Sequence, residues 1–499
     1  PGFRIQDSVV WILGEAYNVA LLTPDSLILT PAPYHSSMHG TTTPTARDLV
    51  TRRVARQARR FPDLDLRPLD TTGLDRRDAA LAFAIDQAVA RRWLTLVTVL
   101  KNQIRRPWAQ VEPPVQAALL VGAAQLLLLE RLPDYAVIHA AVEWLKAHPA
   151  SGKAAGLANA VLRRLADLRE CRADLGDRAA GELCPWSPEE LPLADGRVWR
   201  LRGPVFDRDP RRRLAEQTSH PTELLARWAR RLGPDRVGPL AAHSLVHPPI
   251  IVTLSASLCA EGEGASSLPP SCDRHDEGGF AVFGGDQTAL MALVASPQRA
   301  RVQDPASARP VAATATLRPD LVIEVCAGRG TKTRQLAEIH PQARIIATDI
   351  NPSKLAALRD AVAGHDRVQV IEHDHLEQFA GRGALVVTDV PCTNTAVLAR
   401  RVEAKYRFNR RNLGKLVALQ RRIVTGAVGL LAARGHLLYS TCSLEAEENE
   451  RQTEWVVERY GLRICGSGTS MPTGGPGDPL TRYTDGGYFA LLQQTAGSR

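Results

Sequence analysis

The stretch that decides the fold is LVIEVCAGRGTKT, residues 321–333. Four apolar or β-favouring positions predict a buried strand, and the glycine-rich turn after it leads into a helical pattern. Gly328 and Gly330 allow the chain to turn tightly and to approach a ligand closely. The following helix directs free N–H groups towards that turn, where an anionic group can bind. A strand, a glycine turn and a helix in this order predict a nucleotide-type binding site.

Two acidic residues follow at the ends of the next predicted strands. Asp349 closes the run IIATD, and Asp374 follows the run VQVIEH. An acid at the end of the second strand can accept hydrogen bonds from ribose hydroxyls. Strands and helices alternate from residue 311 onward, which predicts a doubly wound sheet. The same turn and acid would serve NAD, so a Rossmann oxidoreductase remains an alternative at this point.

Two cysteines follow apolar runs further along the chain. Cys392 lies in ALVVTDVPCTNT, residues 384–395, and Cys442 lies in HLLYSTCSL, residues 436–444. Both runs are predicted to be strands. Two thiols presented over a nucleotide-type site indicate nucleophilic chemistry on a bound substrate, which an oxidoreductase leaves unexplained.

These segments resemble the Sun/NOL/NOP family of RNA cytosine-5 methyltransferases. The motifs that carry the resemblance are Asp-x-Pro-Cys at 389–392, Tyr-Ser-Thr-Cys-Ser at 439–443, VQDPAS at 302–307 and DGGYF at 485–489. The resemblance covers residues 214–495 and implies an α/β, Rossmann-like domain that uses S-adenosylmethionine as methyl donor, with no metal. Carried over residue by residue, the donor-binding positions are Cys326, Ala327, Gly328, Arg329, Gly330, Thr331, Lys332, Asp349, Asp374 and Asp389.

The resemblance also assigns the chemistry. Cytosine C5 is too weak a nucleophile to accept a methyl group unless a thiolate first adds at C6. The family pattern gives this attack to Cys442, product release to Cys392, and recognition of the base with proton transfer at its N3 edge to Asp389. The residues alone do not choose between the two thiols.

Both loops depart from the family pattern. Thr331 replaces a usual glycine and would be strained at positive φ. Asn394 and Ala396 also replace glycines; Asn tolerates the left-handed region, whereas Ala does so poorly. A non-catalytic RNA-binding protein with a decayed methyltransferase domain therefore remains an alternative.

The N-terminal part has a helical pattern from Arg47 to Leu168, rich in alanine and leucine. It resembles the all-α NusB-like RNA-binding domain, most clearly in GLANAVLRRL at 156–165. That domain ahead of the methyltransferase is the layout of family members that act on small-subunit ribosomal RNA; another RNA such as transfer RNA is the alternative substrate. Residues 47–106 contain 14 Lys or Arg and 7 Asp or Glu, a local charge of +7 that favours a polyanion partner. Lys405, after the Pro-Cys loop, is predicted to contact RNA or to order that loop.

Composition limits the remaining classes. The 499 residues predict roughly two to four domains, and the 8 cysteines form no C-x-x-C pair, which argues against a zinc site and disulfides and favours the cytoplasm. The longest apolar run, 115–129, is too short to span a bilayer, and no membrane or obligate protein partner is inferred. The predicted divisions are an N-terminal extension outside the fold at 1–45, the NusB-like domain at 46–168, a linker or insertion at 169–213, a small adapter domain at 214–310 and the catalytic domain at 311–495.

Overall fold

The computed structural model describes residues 44–65, 67–130, 132–148, 151–174, 183–254, 268–269, 271–295 and 300–495. The predicted extension lies outside these residues up to position 43. Within the described ranges, no helix is both long enough and apolar enough to cross a membrane.

The N-terminal region is all helical and packs around one central helix. Its five helices are α1 (Ala46–Ala58), α2 (Arg76–Lys101), α3 (Pro113–Leu128), α4 (Asp134–Ala147) and α5 (Ala155–Leu168). The central helix α3 is buried on nearly every side, as expected for a helix that is apolar all round. Thr45 and Asp48 form a reciprocal capping box that fixes the start of α1.

A small antiparallel sheet follows the helices. Its strands are β1 (Arg169–Asp174), β2 (Glu190–Pro192) and β3 (Arg197–Leu201), in the order β1-β3-β2. The segment predicted to be a linker or insertion, residues 169–213, therefore contains this small sheet. The strands were missed because their arginines hide the pattern: Arg172 stacks on the Trp199 ring at 4.5 Å and pairs with Glu130 on the helical region.

The middle region combines three helices with a second small sheet. The helices are α6 (Pro210–Thr218), α7 (Thr222–Leu232) and α8 (Pro234–His243), and the antiparallel strands are β4 (Ile250–Thr253), β5 (Cys272–Arg274) and β6 (Phe280–Phe283). Helix α9 (Gln287–Ala295) follows the sheet, and α10 (Pro305–Ala312) begins at the N-cap Asp304. Their packing positions the segments around residues 303–307 against the large sheet.

The C-terminal region is built on a seven-stranded sheet in the order β12-β13-β11-β10-β7-β8-β9. The strands are β7 (Leu321–Glu324), β8 (Arg344–Ala347), β9 (Val368–Val370), β10 (Gly383–Asp389), β11 (Leu431–Thr441), β12 (Arg463–Ser470) and β13 (Gly487–Gln493). The five strands β7 to β11 run parallel, β13 pairs antiparallel with β11, and β12 pairs antiparallel with β13. The carboxyl ends of the parallel strands therefore meet at one edge, where ligands bind in such sheets.

Helices cover both faces of this sheet, which confirms the predicted doubly wound α/β class. They are α11 (Thr331–Ile339), α12 (Pro352–Ala361), the single turn α13 (Ala404–Arg407), α14 (Arg410–Gly429) and α15 (Glu450–Tyr460). Successive residues of one strand enter different cores: Ile323 packs with the apolar side of α14, and Val322 packs with α11. Strands buried on both faces explain the continuous apolar runs in the sequence.

The N-terminal helical region contacts the C-terminal region at a kink in α2. Arg92 has non-helical angles (φ −118°, ψ 22°), which frees backbone groups on either side of it. The Tyr406 hydroxyl donates to the Ala90 carbonyl at 2.9 Å and accepts from the Trp93 N–H at 3.2 Å. The Ser219 hydroxyl accepts from the Leu94 N–H at 2.9 Å. Side chains from the middle and C-terminal regions thus form hydrogen bonds with the backbone groups that the kink leaves free. The kink is therefore part of the domain contact.

Candidate active site

The two cysteine loops meet at the carboxyl edge of the sheet. Strands β10 and β11 are parallel neighbours, and Asp389 pairs in register with Ser440. Because both strands end at the same level, the loops that follow lie side by side. The Sγ atoms of Cys392 and Cys442 are 3.2 Å apart. The structure therefore brings together the two thiols that sequence patterns singled out separately.

The two thiols have different surroundings. Cys392 is buried, with 8% of its surface exposed, whereas Cys442 is partly exposed. The hydrogen bond with Cys442, followed by burial, raises the pKa of Cys392 well above its ordinary value. The Cys442 thiol donates to Asn394 Oδ1 at 2.8 Å. Of the pair, Cys442 is the thiol that a bound substrate can reach.

Asn394 shapes the Pro-Cys loop. Its φ of 59° is left-handed, and its Nδ2 donates to the Cys392 carbonyl at 3.2 Å. Ala396 is not among the described non-glycine residues with positive φ, and its N–H donates to the Cys442 carbonyl at 3.1 Å. The one position that needs a left-handed residue therefore carries the asparagine, and the expected conflict at Ala396 does not arise.

Asp389 lies beside the thiols in a charged hydrogen-bond group. Its Oδ2 accepts from Lys332 Nζ at 2.6 Å, and its Oδ1 accepts from the Ser440 hydroxyl at 2.8 Å. Burial lowers the pKa of Lys332, but the charge and hydrogen bond of Asp389 outweigh it and leave the pKa raised. Lys332, predicted from sequence to belong to the donor pocket, thus joins the glycine turn to the cysteine loops.

Glu448 is a buried carboxylate that links both cysteine loops, and the sequence reasoning did not single it out. It accepts the Thr393 N–H at 3.0 Å, the Ser443 hydroxyl at 2.5 Å and Gln420 Nε2 at 2.9 Å. Thr393 and Ser443 are the residues directly after the two cysteines. Burial raises the pKa of Glu448, and neutral donors surround the carboxyl group. Its position after the Thr-Cys-Ser motif was the only available sequence signal.

Glycine occupies the two positions of the turn for different structural reasons. Gly328 has φ 60°, and a Cβ there would meet no atom within 4 Å, so the turn opens onto free space. Gly330 has φ 89°, and a Cβ there would lie 2.9 Å from Leu358 Cδ1, so close packing requires glycine. Thr331 is the first residue of α11 and has no positive φ. The conditional expectation of strain at Thr331 is therefore not met.

Two acidic side chains, Asp349 and Glu324, lie close to this turn. Asp349 Oδ2 accepts the Gly328 N–H at 3.0 Å and so holds the turn. Glu324 is fully buried; its Oε2 accepts the Thr333 hydroxyl at 2.6 Å, while its Oε1 has no hydrogen-bond partner among the described residues. Burial raises the pKa of Glu324 to about 7. An unpartnered buried oxygen beside an open turn is a feature of a site built for a ligand.

The remaining predicted donor residues lie around the same edge. Cys326 is half-buried, and burial raises its pKa to about 12, while Ala327 is buried. Arg329 is partly exposed, and Asp374 is exposed in the short helix after β9. Ile350, which sequence reasoning missed, is 79% exposed next to Asp349. An apolar side chain left in solvent beside a candidate nucleotide site offers a surface for a flat ring.

Comparisons with known proteins agree with this architecture. The family model of the 16S rRNA methyltransferase RsmB/F matches residues 314–465, and the NusB family model matches residues 48–167. A ribosomal RNA small subunit methyltransferase B from Xanthomonas campestris pv. campestris is 30% identical over 447 residues, 84% of this chain and 89% of the relative. The chain belongs to the RsmB/F methyltransferase family. The predicted resemblance is confirmed, and the protein is an RNA methyltransferase.

More distant relatives are similar to this chain over part of its length or in fold alone. A protein of the same name from Escherichia coli O6:K15:H31 is 28% identical over 177 residues, 34% of this chain and 41% of that protein. The crystal structure of PH0851 superposes with a TM-score of 0.61 at 17% identity, covering 91% of this chain and 99% of that one. At this identity the likeness shows the fold, and it extends over all three regions.

One expectation about a basic residue of this RsmB/F-family enzyme needs correction, and part of the basic stretch is buried. Lys405 is 0% exposed, so the predicted contact with RNA is wrong; its ammonium donates to the carbonyl groups of Arg91 at 2.9 Å and Thr218 at 3.2 Å. Within the basic stretch 47–106, Arg53 pairs with Asp86 at 3.1 Å, and Arg91 and Arg92 are buried. Lys405, Arg91 and Arg92 stabilise the domain contact because they donate to carbonyl groups of another region, whereas Arg53 and Asp86 both belong to the helical region.

Proposed function

We propose that this RsmB/F-family enzyme methylates cytosine C5 in small-subunit ribosomal RNA, using S-adenosylmethionine and a covalent bond between Cys442 and C6. The observation that carries the proposal is the pair of thiols 3.2 Å apart beside the Lys332–Asp389 ion pair. Cytosine inside a duplex hides C6, so the target must be unpaired or flipped out to reach them.

The residues of the glycine turn fit the donor. The open space above Gly328 accommodates a ligand, and the unpartnered Oε1 of Glu324 suits its ammonium group. Asp349 suits the ribose hydroxyls, and Asp374 the adenine amino group, with Ile350 offering an apolar surface to the ring. When bound, S-adenosylmethionine supplies the methyl group. Every other chemical task falls to side chains of the protein.

Cys442 is assigned the attack because it is the accessible thiol. After its proton has left to solvent, the Cys442 thiolate adds to C6; this breaks the C5=C6 double bond and raises the electron density at C5. Asp389 recognises the N3 edge of the base and moves a proton there, and the Lys332 ammonium 2.6 Å away keeps a proton available for that exchange. Asn394, whose amide accepts from the Cys442 thiol, orients the nucleophile.

Cys392 is assigned the release step. Its raised pKa means that it keeps its proton in the resting site and becomes a strong base once the proton is lost. After its own proton has left to solvent, the Cys392 thiolate can remove the C5 proton; the electrons of that C–H bond re-form the C5=C6 double bond, and Cys442 leaves as a thiolate. The hydrogen bond between the two Sγ atoms supports this division of labour.

Small-subunit ribosomal RNA is proposed as substrate from the relatives and the domain layout. The Xanthomonas relative is named for the small ribosomal subunit and aligns over 89% of its length, and the NusB match covers the helical region. The decayed-enzyme alternative rested on Thr331 and the Pro-Cys loop, and neither is strained. Transfer RNA remains the second candidate because the same chemistry would serve it.

The proposal is tested by incubating the purified protein with donor labelled in its methyl group and with small-subunit ribosomal RNA or transfer RNA. Label in ribosomal RNA, mapped to cytosines by bisulfite sequencing, is the expected result. Label only in transfer RNA would favour the second substrate. No label in either RNA and no donor binding by calorimetry would favour the decayed enzyme.

A further inference from the structure

Helix α14 lies directly behind the two cysteine loops. Gln420, on its buried side, donates through Nε2 to the Pro391 carbonyl at 2.9 Å and to Glu448 Oε1 at 2.9 Å. Glu448 in turn holds the residues that follow both cysteines. The outer side of α14 therefore lies one helix diameter, roughly 10 Å, from the cysteine loops.

The outer side of this helix is strongly basic. The 20 residues of α14 include no Asp or Glu. Its charged residues are all exposed cations, namely Arg410, Arg411, Lys415, Arg421 and Arg422. At 100° per residue these positions lie on one side of the helix, and we call this side the basic face.

Most of the basic face lacks a carboxylate partner. Arg410 approaches Glu223 at 3.6 Å, and Arg421 donates to Gln452 and lies 4.9 Å from the centre of the Trp455 ring. Arg411, Lys415 and Arg422 form no ion pair with any residue that the structure describes. Three unpaired cations at spacings of one and two helical turns repel each other unless an anion lies over them.

Small residues separate the cations of the basic face. Gly414 and Ala418 are exposed between them, Thr425 is exposed after the last of them, and a Cβ on Gly414 would meet no atom within 4 Å. A ligand can therefore approach the helix closely, with long side chains closing on it from both edges. The cations extend over about 18 Å at 1.5 Å per residue, enough to meet several consecutive phosphates.

The neighbouring helix limits the basic face on one side. Helix α15 carries Glu454 and Glu458 as exposed acids, and it packs against α14 through Gln452 and Trp455. The exposed Arg451 and Arg459 partly offset these acids, so a polyanion is attracted more strongly to α14, which carries cations and no acid, than to α15.

We propose that the basic face of α14 binds the phosphate backbone of the substrate RNA strand next to the target cytosine. This rests on the proposed function, because it assumes that the substrate at the cysteine loops is RNA. A repeating anion of regular spacing matches a row of guanidinium and ammonium groups on a smooth helix. An acidic protein would also need apolar anchors, and the face carries none.

The test places a carboxylate in the middle of the basic face. Ala418→Glu keeps every cation and pairs with Arg422 four residues later, which stabilises the helix while neutralising the face. Ala418→Gln is the matched control, with the same shape and no charge. We expect RNA affinity at moderate salt to be about 5- to 10-fold lower for the Glu variant than for the Gln variant, with a salt slope smaller by about 1. The effect on KM for RNA should exceed the effect on kcat.

A second pair of variants removes charge without adding any. Arg411→Gln, Lys415→Gln and Arg422→Gln together are compared with Arg318→Gln, Arg367→Gln and Arg382→Gln, three exposed cations at the amino ends of the strands, the opposite edge of the sheet. The first set should lower the slope of log K against log salt by about 2 and the second set by less than 0.5. Equal slopes for the two sets, or equal affinity of the two Ala418 variants, would overturn the proposal.

The readouts separate this inference from the proposed function. If the wild-type protein methylates RNA and both charge tests show no effect, the function stands and the basic face does not bind the substrate. If the wild-type protein transfers no methyl group but the charge tests weaken RNA binding, the RNA-binding face stands and the methylation proposal fails. If the basic-face variants lose binding to an acidic protein while their RNA binding is unchanged, the assignment of this face to RNA is also contradicted.

Discussion

Two buried lysines of this enzyme have opposite electrostatic environments. Lys332 faces the carboxylate of Asp389 at 2.6 Å, which raises its pKa despite burial. Lys405 donates to carbonyl groups, and burial together with the charges of Arg91 and Arg92 lowers its pKa well below the ordinary value. Both residues lie in or after motifs of the methyltransferase; the sequence predicted that Lys332 binds the donor and that Lys405 contacts RNA or orders the Pro-Cys loop.

The comparison shows that the partner of a buried amine indicates its role. An ammonium group that is hydrogen-bonded to a carboxylate at an open edge stays charged in the resting site. It can still pass a proton to that carboxylate during the reaction. An amine held by carbonyl groups inside a domain contact satisfies freed backbone acceptors at the kink of α2. Burial alone therefore does not mark a catalytic residue, and the kind of acceptor separates the two cases.

The largest effect is expected for Lys332→Met. Asp389 loses its counter-charge and its proton partner, so we expect kcat to fall by about 1,000-fold, within the usual range for acid–base groups. The measurement is single-turnover methyl transfer, with the melting temperature as a check of folding. Lys146→Met, in the helical region, is the control and should keep wild-type activity. A Lys332→Met enzyme with kcat within 3-fold of wild type would contradict the catalytic role of Lys332.

Lys405→Met should act on stability instead. The carbonyl groups of Arg91 and Thr218 lose a donor, and leaving buried acceptors unsatisfied costs about 1–3 kcal/mol. Methyl transfer by the folded enzyme should stay within a few-fold of wild type. Urea unfolding of both proteins gives the difference in the free energy of unfolding.

The same variant has a predicted dependence on pH. The pKa of Lys405 lies below 10.5 in the folded protein, so the unfolded chain binds more protons between the folded pKa and 10.5. The stability of the wild type relative to Lys405→Met should therefore increase from pH 7 to pH 10. Lys332 has a raised pKa, so its contribution should be constant over this range. A difference that falls with pH would show that Lys405 has an anionic partner.

A smaller effect on catalysis is expected for Glu448→Gln, the acidic counterpart of these lysines. A glutamine places an NH2 group against donors that now point at the carboxylate, including the Thr393 N–H and the Ser443 hydroxyl. Both cysteine loops should shift slightly, which lowers kcat by about 10-fold while donor affinity stays within 2-fold. Glu454→Gln, on the exposed side of α15, is the control. Equal loss of kcat and donor affinity would indicate general misfolding instead of positioning.

The sequence predicted the parts of the fold that depend on local patterns. The strand before Gly328 and the two strands before the cysteines are continuous apolar runs because both faces of the sheet are buried. Asp389, Cys392 and Cys442 could be grouped because parallel strands end at one edge. The roles of these residues stay predictions, since the geometry brings them together without showing the reaction.

The parts that escaped prediction depend on contacts between distant residues. The kink of α2 is stabilised by Tyr406 and Ser219, which no helical pattern can reveal. Ser219 ends α6 with φ 60°. Strand β1 was hidden by arginines that stack on Trp199 or pair with acids of the helical region. In each case the polar side chain finds its partner only after folding.

The central claim is that Cys442 attacks and Cys392 releases, and trapping the covalent complex tests it most directly. Cys392→Ala and Cys442→Ala are incubated separately with RNA and donor, and the products are run on denaturing gels. We predict a shifted protein–RNA band for Cys392→Ala, because attack proceeds while elimination is blocked, and no band for Cys442→Ala. A band for Cys442→Ala but not for Cys392→Ala would reverse the assignment. Full methylation by both variants would contradict the covalent mechanism.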